Sequence, residues 1–249
     1  MDEVTYRTYP RFYVYKTYDL ENFFEPKVVV DCEGTDFWAD LEFWGSKVFF
    51  YKGKYYLFCG VRSESRNRAI HIFVCDTPDG KFEPLTPEPI TPPDWVCLES
   101  ILYIEDGVPY AVFSHEWVQV RDGEICAMPL SDDLTHAIGE PVVLFRASEN
   151  VNVTPTGKNK DGYVTDECFL FREDGKLRMI WSSFHEGKYV VLEAESDNGS
   201  IHGKWIQGKM VFDFEGAGAM LFHRLDGTRM MALHSPNKRP LERAYFYEY

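Results

Sequence analysis

The stretch "DGKLRMIWSSF" (174–184) combines an Asp-Gly turn with a half-apolar strand, which is the usual sequence of a β-hairpin. Close variants of it occur at three other places in the chain. They are "KGKYYLFCG" (52–60), "DGVPYAVFSH" (106–115) and "DGTRMMALHS" (226–235). Four versions of one turn and strand indicate a repeat, and a repeat restricts the possible folds.

Each of these turns follows a short apolar or alternating run that predicts the first strand of the same hairpin. The four runs are "FWGSKVFFY" (43–51), "CLESILYI" (97–104), "TDECFLF" (165–171) and "GAGAMLFH" (216–223). The turn glycines are separated by 54, 68 and 52 residues. Units of about four strands at this spacing predict a β-propeller, in which sheets pack radially around an axis.

A second series of polar turns, each containing an aspartate, predicts how the blades are arranged. Its first member, "TYDLENFFEP" (17–26), has no hairpin before it. Together the two series predict an all-β, five-bladed β-propeller that occupies residues 1–249 as a single domain and has an incomplete first blade. The predicted segments are a blade-one remnant at 1–30 and blades at 43–90, 97–148, 163–212 and 215–249.

The composition restricts the possible partners. The chain has 249 residues, of which 40 are acidic and 26 basic, so its net charge is −14. This balance argues against nucleic acid and anionic membranes as partners. No apolar run approaches the ~20 residues that a membrane helix needs. The start, "MDEVTYRTYPRF", lacks the pattern of a signal peptide, so we expect a cytoplasmic protein, or a secreted one if the true start lies upstream.

The cysteines and histidines give no pattern of a metal site. Six cysteines are scattered without a CxxC pair, and seven histidines show no HxH or HxxxH spacing. Buried free thiols are therefore the preferred interpretation over a disulfide framework or a zinc site. We expect no metal and no cofactor.

Polar residues at the starts of the inner strands are the candidates for chemistry, because the first strand of each propeller blade lines the central channel. These residues are Lys47, Glu99, Asp166, Glu167 and Glu215. Paired carboxylates in a partly dry funnel are what glycoside hydrolysis uses, one protonating the leaving oxygen and the other activating water. The alternative for each is a turn cap or a solvated strand edge.

Longer stretches of the chain resemble the propellers of glycoside hydrolase family 43, in its arabinosidase- and xylosidase-like branch. The stretches that carry the resemblance are "FWGSKVFFYKGKYYLF" (43–58), "LESILYIEDGVPY" (98–110), "HEWVQ" (115–119), "YVTDECFLFREDGKLRMIWSSF" (163–184) and "LHSPNKRPLER" (233–243). The resemblance implies a five-bladed propeller that hydrolyses O-glycosidic bonds in arabinan or xylan side chains, with carbohydrate as the partner.

The resemblance also implies roles for single residues. Asp166 matches the family's general acid in "TDGP", and Glu99 matches the carboxylate of "LDGT" that orients the acid and modulates its pKa. Three positions depart from the family pattern. Lys47 replaces the carboxylate of "APE", Glu167 replaces the glycine of "TDGP", and Gly218 replaces the histidine of "GGH". The family's base, an aspartate in blade one, has no counterpart because the chain begins downstream of that strand.

Five residues are further assigned to sugar binding. Trp117 and His115 in "SHEWVQV" could stack on a sugar ring and donate to a hydroxyl, and Trp44 could stack in the same way. Packing between blades is the alternative for all three. Lys47 and Glu167 are also predicted to contact substrate, because they stand at altered funnel positions.

Two classes of function are open at this point. The first is an active glycosidase in which Asp166 is the acid and Glu99 its modulator. The second is a non-catalytic relative that keeps the propeller as a carbohydrate-binding or interaction platform. An incomplete first blade would also expose strand edges, so we expect self-association or disorder around Val4–Val30.

Overall fold

The computed structural model describes residues 9–238 and 240–249. The chain divides into two compact units, Met1–Glu99 and Ser100–Tyr249, and the single-domain organisation stays a prediction. Residues 1–8, including Val4 of the predicted blade-one remnant, lie outside the described part. No helix in that part is long and apolar enough to cross a membrane.

The first unit contains a two-stranded sheet and a four-stranded sheet, both antiparallel and with neighbours in chain order. Its strands are β1 (Arg11–Val14), β2 (Lys27–Asp31), β3 (Leu41–Tyr51), β4 (Lys54–Arg62), β5 (Ala69–Cys75) and β6 (Glu83–Pro84). The small sheet packs on the larger one through Val29 and Val30, which join Leu57, Cys59 and Phe73 in one buried cluster.

The second unit contains three antiparallel sheets, of which the first begins with β7; the division of the chain between Glu99 and Ser100 falls within this strand. The strands of these sheets are β7 (Cys97–Glu105), β8 (Val108–His115), β9 (Glu124–Pro129), β10 (Val142–Arg146), β11 (Asp166–Glu173), β12 (Lys176–His185), β13 (Lys188–Ser196), β14 (Trp205–Phe212), β15 (Ala217–His223), β16 (Arg229–Ser235) and β17 (Arg243–Glu248). A short helix, α1 (Trp117–Val120), and a 3₁₀ turn, Ala147–Glu149, lie between strands.

Each larger sheet is a meander of consecutive strands, which is the blade unit of a propeller. The described part of the chain has four such blade sheets rather than the predicted five. In place of a first blade it has only the two-stranded β1–β2 sheet. The last blade sheet has three strands, whereas the other three have four.

The predicted hairpins are confirmed between the first and second strands of the blades. The turn glycines Gly53, Gly107 and Gly175 have φ of 83°, 81° and 77°. The residue before each is also left-handed, as a type I′ turn requires. The Asp-Gly and Lys-Gly pairs therefore fix the register of these hairpins.

A second left-handed position lies near the start of each inner strand. Gly45, Glu99 and Glu167 stand eight residues before their turn glycines, with φ of 59°, 47° and 38°. Gly218, which stands nine residues before Gly227, is also left-handed in the last blade, with φ of 74°. In β3, β11 and β15 the pairing register shifts around this residue, which marks a β-bulge.

The second unit is packed through large side chains between its sheets. Trp181 of β12 is fully buried, with the ring of Phe145 at a centroid distance of 5.2 Å. Arg229 pairs with Glu173 and lies over the rings of Phe171 and Tyr249, at 4.7 and 4.8 Å. The six cysteines are free thiols, and all but Cys75 are buried.

The buried His71 makes the first unit sensitive to acid. Its ring is fully buried and accepts a hydrogen bond from Trp38 Nε1 at 3.2 Å, and burial lowers its pKa from 6.5 to about 3. The unfolded chain therefore binds this proton more readily, so the stabilisation is complete above pH 6.5 and is lost as the pH falls toward 3. We expect the free energy of unfolding to fall by about 2 kcal/mol between pH 7 and pH 5 through this group.

Denaturant unfolding of His71→Gln at the two pH values measures this contribution. The variant should lose that part of the pH dependence, whereas the same change at the exposed His136 should retain it. Equal pH dependence in His71→Gln and the wild type would contradict the assignment.

Candidate active site

Asp166 is the first residue of β11, and its carboxylate accepts hydrogen bonds on both oxygens. The backbone N–H of Glu167 donates to Oδ1 at 3.1 Å, and the hydroxyl of Tyr189 donates to Oδ2. Tyr189 comes from β13, two strands away in the same sheet. The side chain is only partly buried, so a ligand can reach it while the protein holds its orientation.

Tyr189 is itself held firmly. It is 6% exposed, its ring stacks on Phe184 at 4.6 Å, and its carbonyl accepts from the N–H of Gly216 at 3.0 Å. Burial raises its pKa well above the ordinary value, and the charge of Asp166 adds to the effect. The hydroxyl therefore keeps its proton at neutral pH and is a permanent partner for Asp166.

Glu167 adopts a backbone conformation that is unusual for a residue with a side chain, since its φ is 38°. Its carboxylate lies over Gly218, where a Cβ would be only 2.8 Å from Cδ of Glu167. Oε2 of Glu167 is buried and has no hydrogen-bond partner in the described part of the chain. The glutamate thus fills space that a side chain at position 218 would otherwise take.

His115 has protein partners on both ring nitrogens. Nδ1 lies 3.0 Å from Oε2 of Glu124, and Nε2 lies 2.9 Å from Oε1 of Gln119. Glu124 is in turn bound by Arg146 at 2.7 Å. These contacts favour the packing alternative over donation to a sugar.

Trp117 begins helix α1 and packs against backbone. A Cβ at Gly157 would lie 3.0 Å from its ring, and one at Gly162 would be closer still, so both positions need glycine. The ring also packs on the cluster of Val164 and Tyr189, next to Asp166. The packing role is therefore visible, and sugar stacking by the half-buried ring stays a prediction.

In the first unit, Glu99 repeats the arrangement of Glu167. It is 6% exposed, and its side chain lies over Gly45, where a Cβ would be 2.6 Å from Cδ of Glu99. Its Oε2 is buried without a hydrogen-bond partner among the described residues. Both glutamates therefore carry a buried oxygen that none of the described residues binds.

The predicted Lys47 and Trp44 lie on β3 of the same unit. Lys47 is 7% exposed and forms no ion pair within residues 9–238 and 240–249. Trp44 is half-buried beneath the guanidinium of Arg68, which lies 4.4 Å from the ring centroid. Arg68 and Arg62 both pair with Glu42, at 2.5 and 2.9 Å.

Counting from the turn glycines shows how the acidic positions correspond between blades. Glu99 and Glu167 each stand eight residues before their turn glycine, so Leu98, not Glu99, corresponds to Asp166. Leu98 is a buried apolar residue. The role of Glu99 as modulator of Asp166 stays a prediction. In backbone conformation Glu99 matches Glu167, since both are left-handed.

Two features of the site are missing from the sequence prediction. Tyr189 was not identified, because its contact with Asp166 joins residues 23 positions apart through strand pairing. The sequence also did not predict that the side chain of Glu99 lies over Gly45. The spacing to the turn glycine was the one available signal, since it aligns Gly45 with Glu99 and Glu167.

Comparisons with known proteins find similarity over almost the whole chain. The model of the family "Glycosyl hydrolases family 43" matches residues 4–246. An endo-arabinase structure from Bacteroides thetaiotaomicron is 37% identical, with 96% of this chain and 86% of that chain covered and a TM-score of 0.90. A comparison with curated proteins found no match.

More distant structures share the fold. An endo-1,4-beta-xylanase from Bacteroides thetaiotaomicron is 20% identical, covers 95% of this chain and 80% of its own, and has a TM-score of 0.71. An alpha-L-arabinofuranosidase from Lactobacillus brevis is 14% identical, with coverages of 90% and 78% and a TM-score of 0.71. The β-propeller fold is thereby confirmed, and the chain belongs to glycosyl hydrolases family 43.

Proposed function

We propose that this protein hydrolyses O-glycosidic bonds in plant-type pentose glycans, namely arabinan or the side chains of xylan. The observation that carries the proposal is the 37% identity to an endo-arabinase over 96% of the chain. Asp166 is the proposed general acid, because it is an accessible carboxylate held in one orientation from both sides. Glu99, Trp44, Trp117 and His115 remain proposed contributors to the same function.

The two hydrogen-bond partners of Asp166 differ in which protonation states of its carboxyl group they can bind. A backbone N–H can only donate, whereas a tyrosine hydroxyl can donate or accept. Tyr189 can therefore serve a charged Asp166 as donor and a protonated Asp166 as acceptor. This suits a residue that has to deliver a proton and take it back.

A non-catalytic carbohydrate-binding propeller is the second candidate, favoured by a specific observation. The carboxylate of Glu167 occupies the space beside Asp166 and over Gly218, where the family pattern has a small residue. In addition, the buried Leu98 stands where β11 has its aspartate. A sugar kept away from Asp166 by the bulk of Glu167 would lose the general acid, which costs about 10²–10⁴-fold in rate.

A release assay separates the two candidates. The wild type should be tested on aryl-arabinosides, aryl-xylosides and polymeric arabinan, alongside calorimetric titration with the free oligosaccharides. Hydrolysis supports the first candidate, and binding without hydrolysis supports the second. Neither binding nor hydrolysis would contradict both.

Glu167→Gly is expected to increase both stability and activity. Glycine adopts the left-handed backbone without strain, and the change removes a buried carboxylate oxygen without a partner, so we expect a gain of about 1 kcal/mol. The freed space should raise hydrolysis or broaden the accepted sugars. Thermal unfolding and the same glycoside panel test this, with Glu186→Gly, also left-handed but exposed in the next hairpin, as the control.

We also propose that the β1–β2 sheet is the remnant of a fifth, first blade and is the surface through which copies associate. The segment exposes an unusual number of aromatic side chains. They are Tyr9, Tyr13, Tyr15, Tyr18, Phe23 and Phe24. Light scattering across a concentration series tests the proposal, which a monomer at all concentrations would refute.

A further inference from the structure

The first unit contains a cavity of about 800 Å³ that is lined by residues between positions 9 and 65. None of the residues assigned to the candidate active site is among those that line it. Its wall contains three aromatic side chains, Tyr9, Phe37 and Trp38. Cavities of roughly 300–1,000 Å³ with aromatic walls and a few polar groups are typical of sites for small ligands.

Two of these aromatic rings carry a guanidinium group on one face. Arg11 lies over Tyr9 at 5.9 Å from the ring centroid, and Arg66 lies over Trp38 at 4.9 Å. Neither arginine lines the cavity. The surface that each ring presents to the cavity is therefore not the one that the guanidinium covers.

Trp38 is held in one orientation by its neighbours. Its Nε1 donates to Nδ1 of the buried His71 at 3.2 Å, and the ring packs against the buried cluster that contains Phe73. Arg66 is itself fixed by an ion pair with Glu88 at 2.7 Å. A ring that is already fixed loses little conformational freedom when a ligand packs on it.

The polar groups of the cavity are carboxylates and hydroxyls. Asp40 and Glu64 line it and are exposed, and their carboxylates form no hydrogen bond or ion pair with the residues that the structure describes. Ser65 adds a hydroxyl. Within the described chain, no lysine or arginine lines this cavity. An anionic ligand such as a uronate or a phosphate would therefore meet repulsion without a compensating charge.

The two covered rings also argue against a cationic ligand. An aromatic ring attracts a cation through the negative charge on its face, and Arg11 and Arg66 already use this attraction. A second cation on the same ring would be repelled by the first. A neutral sugar avoids this repulsion, because its C–H groups pack on the ring while its hydroxyls donate to carboxylates.

We propose that this cavity binds a neutral pentose residue of a glycan and is a carbohydrate site additional to the candidate active site. The C–H face of the sugar packs on Trp38 and Tyr9, and its hydroxyls donate to Asp40 and Glu64. The inference goes beyond the proposed hydrolysis, because binding here needs neither an acid nor a base. Only the choice of a pentose rests on the proposed function.

The first test follows the indole N–H of Trp38 by nuclear magnetic resonance, since this group reports on the cavity directly. Its signal is assigned by its loss in Trp38→Phe. Arabinotriose or xylotriose, added to Asp166→Asn so that neither is hydrolysed, should shift the signal in a saturable way. No shift with either sugar at about 10 mM, where a site with a Kd of about 1 mM would be nearly filled, would overturn the proposal. Tighter binding of glucuronate or choline would also overturn it.

The second test changes exposed side chains of the cavity. Tyr9→Ala and Glu64→Ala should each raise the Kd read from the Trp38 signal by about 5- to 10-fold, since one loses a stacking contact and the other an acceptor. The matched controls are Tyr18→Ala and Glu25→Ala, which change exposed residues outside the cavity. Both tyrosines belong to the proposed association surface, so an effect through association would appear in both tyrosine variants. An unchanged Kd in both cavity variants would refute the inference.

The outcomes separate this inference from the proposed function. A saturable shift of the Trp38 signal in a protein that hydrolyses no glycoside supports the inference and contradicts the hydrolase. Hydrolysis of arabinan without any response of Trp38 supports the hydrolase and contradicts the inference.

Discussion

Asp166→Asn should lower glycoside hydrolysis by about 10²–10⁴-fold, because an amide cannot deliver the proton that the leaving oxygen needs. Binding of the same sugars should change little, since the amide keeps the size of the side chain and an acceptor oxygen. Initial rates on the arabinoside and xyloside panel, with calorimetric affinities, measure the two effects separately. Hydrolysis that survives this substitution would refute the role of Asp166.

Two further variants make the Asp166 result specific. Tyr189→Phe removes the hydroxyl that binds Oδ2 and should cost about 10- to 100-fold, mainly in kcat, because Asp166 loses its orientation rather than its proton. Asp174→Asn makes the same chemical change as Asp166→Asn at the far end of the β11–β12 hairpin. Its left-handed turn position accepts asparagine, so activity should be unchanged.

Trp181→Ala should lower the free energy of unfolding by about 3–5 kcal/mol, because it removes the largest fully buried side chain and leaves a cavity in its place. The indole packs on Phe145, and no small rearrangement would fill its volume. Urea unfolding followed by far-UV circular dichroism measures the loss. A loss below about 1 kcal/mol would show that Trp181 is not central to the core of the second unit.

Trp181→Phe is the matched variant and should cost much less, below about 2 kcal/mol. The indole Nε1 is buried without a hydrogen-bond partner among the described residues. Replacement by phenylalanine keeps most of the apolar contact and removes this unsatisfied donor. A loss as large as that of the alanine variant would indicate a partner for Nε1.

The hairpins of this propeller were predictable because their signal is local. Lys-Gly and Asp-Gly pairs between alternating strands demand a left-handed turn, and the structure has it at Gly53, Gly107 and Gly175. The number of complete blades was not predictable in the same way. The segment at 17–26 repeats an outer turn, but in the described chain its neighbours form a two-stranded sheet rather than a blade.

The site was less predictable because its geometry depends on bulges and long-range pairing. Glutamate normally avoids a left-handed backbone. The neighbouring sequence therefore does not predict the φ of 47° at Glu99 or of 38° at Glu167. The resemblance matches Glu99 to the carboxylate of "LDGT", and the structure adds that its left-handed backbone is shared with Glu167. The Tyr189 hydroxyl reaches Asp166 through the pairing of three strands, which no short motif encodes.

The position of each glutamate over a glycine links the side chains at two distant positions of the sequence. A side chain at position 45 would overlap Glu99, and one at position 218 would overlap Glu167. Both glycines also have a left-handed backbone, so a larger residue there would be strained and would force the glutamate to move. Substitutions at 45 and 99, or at 218 and 167, are therefore expected to be non-additive in their effects on stability.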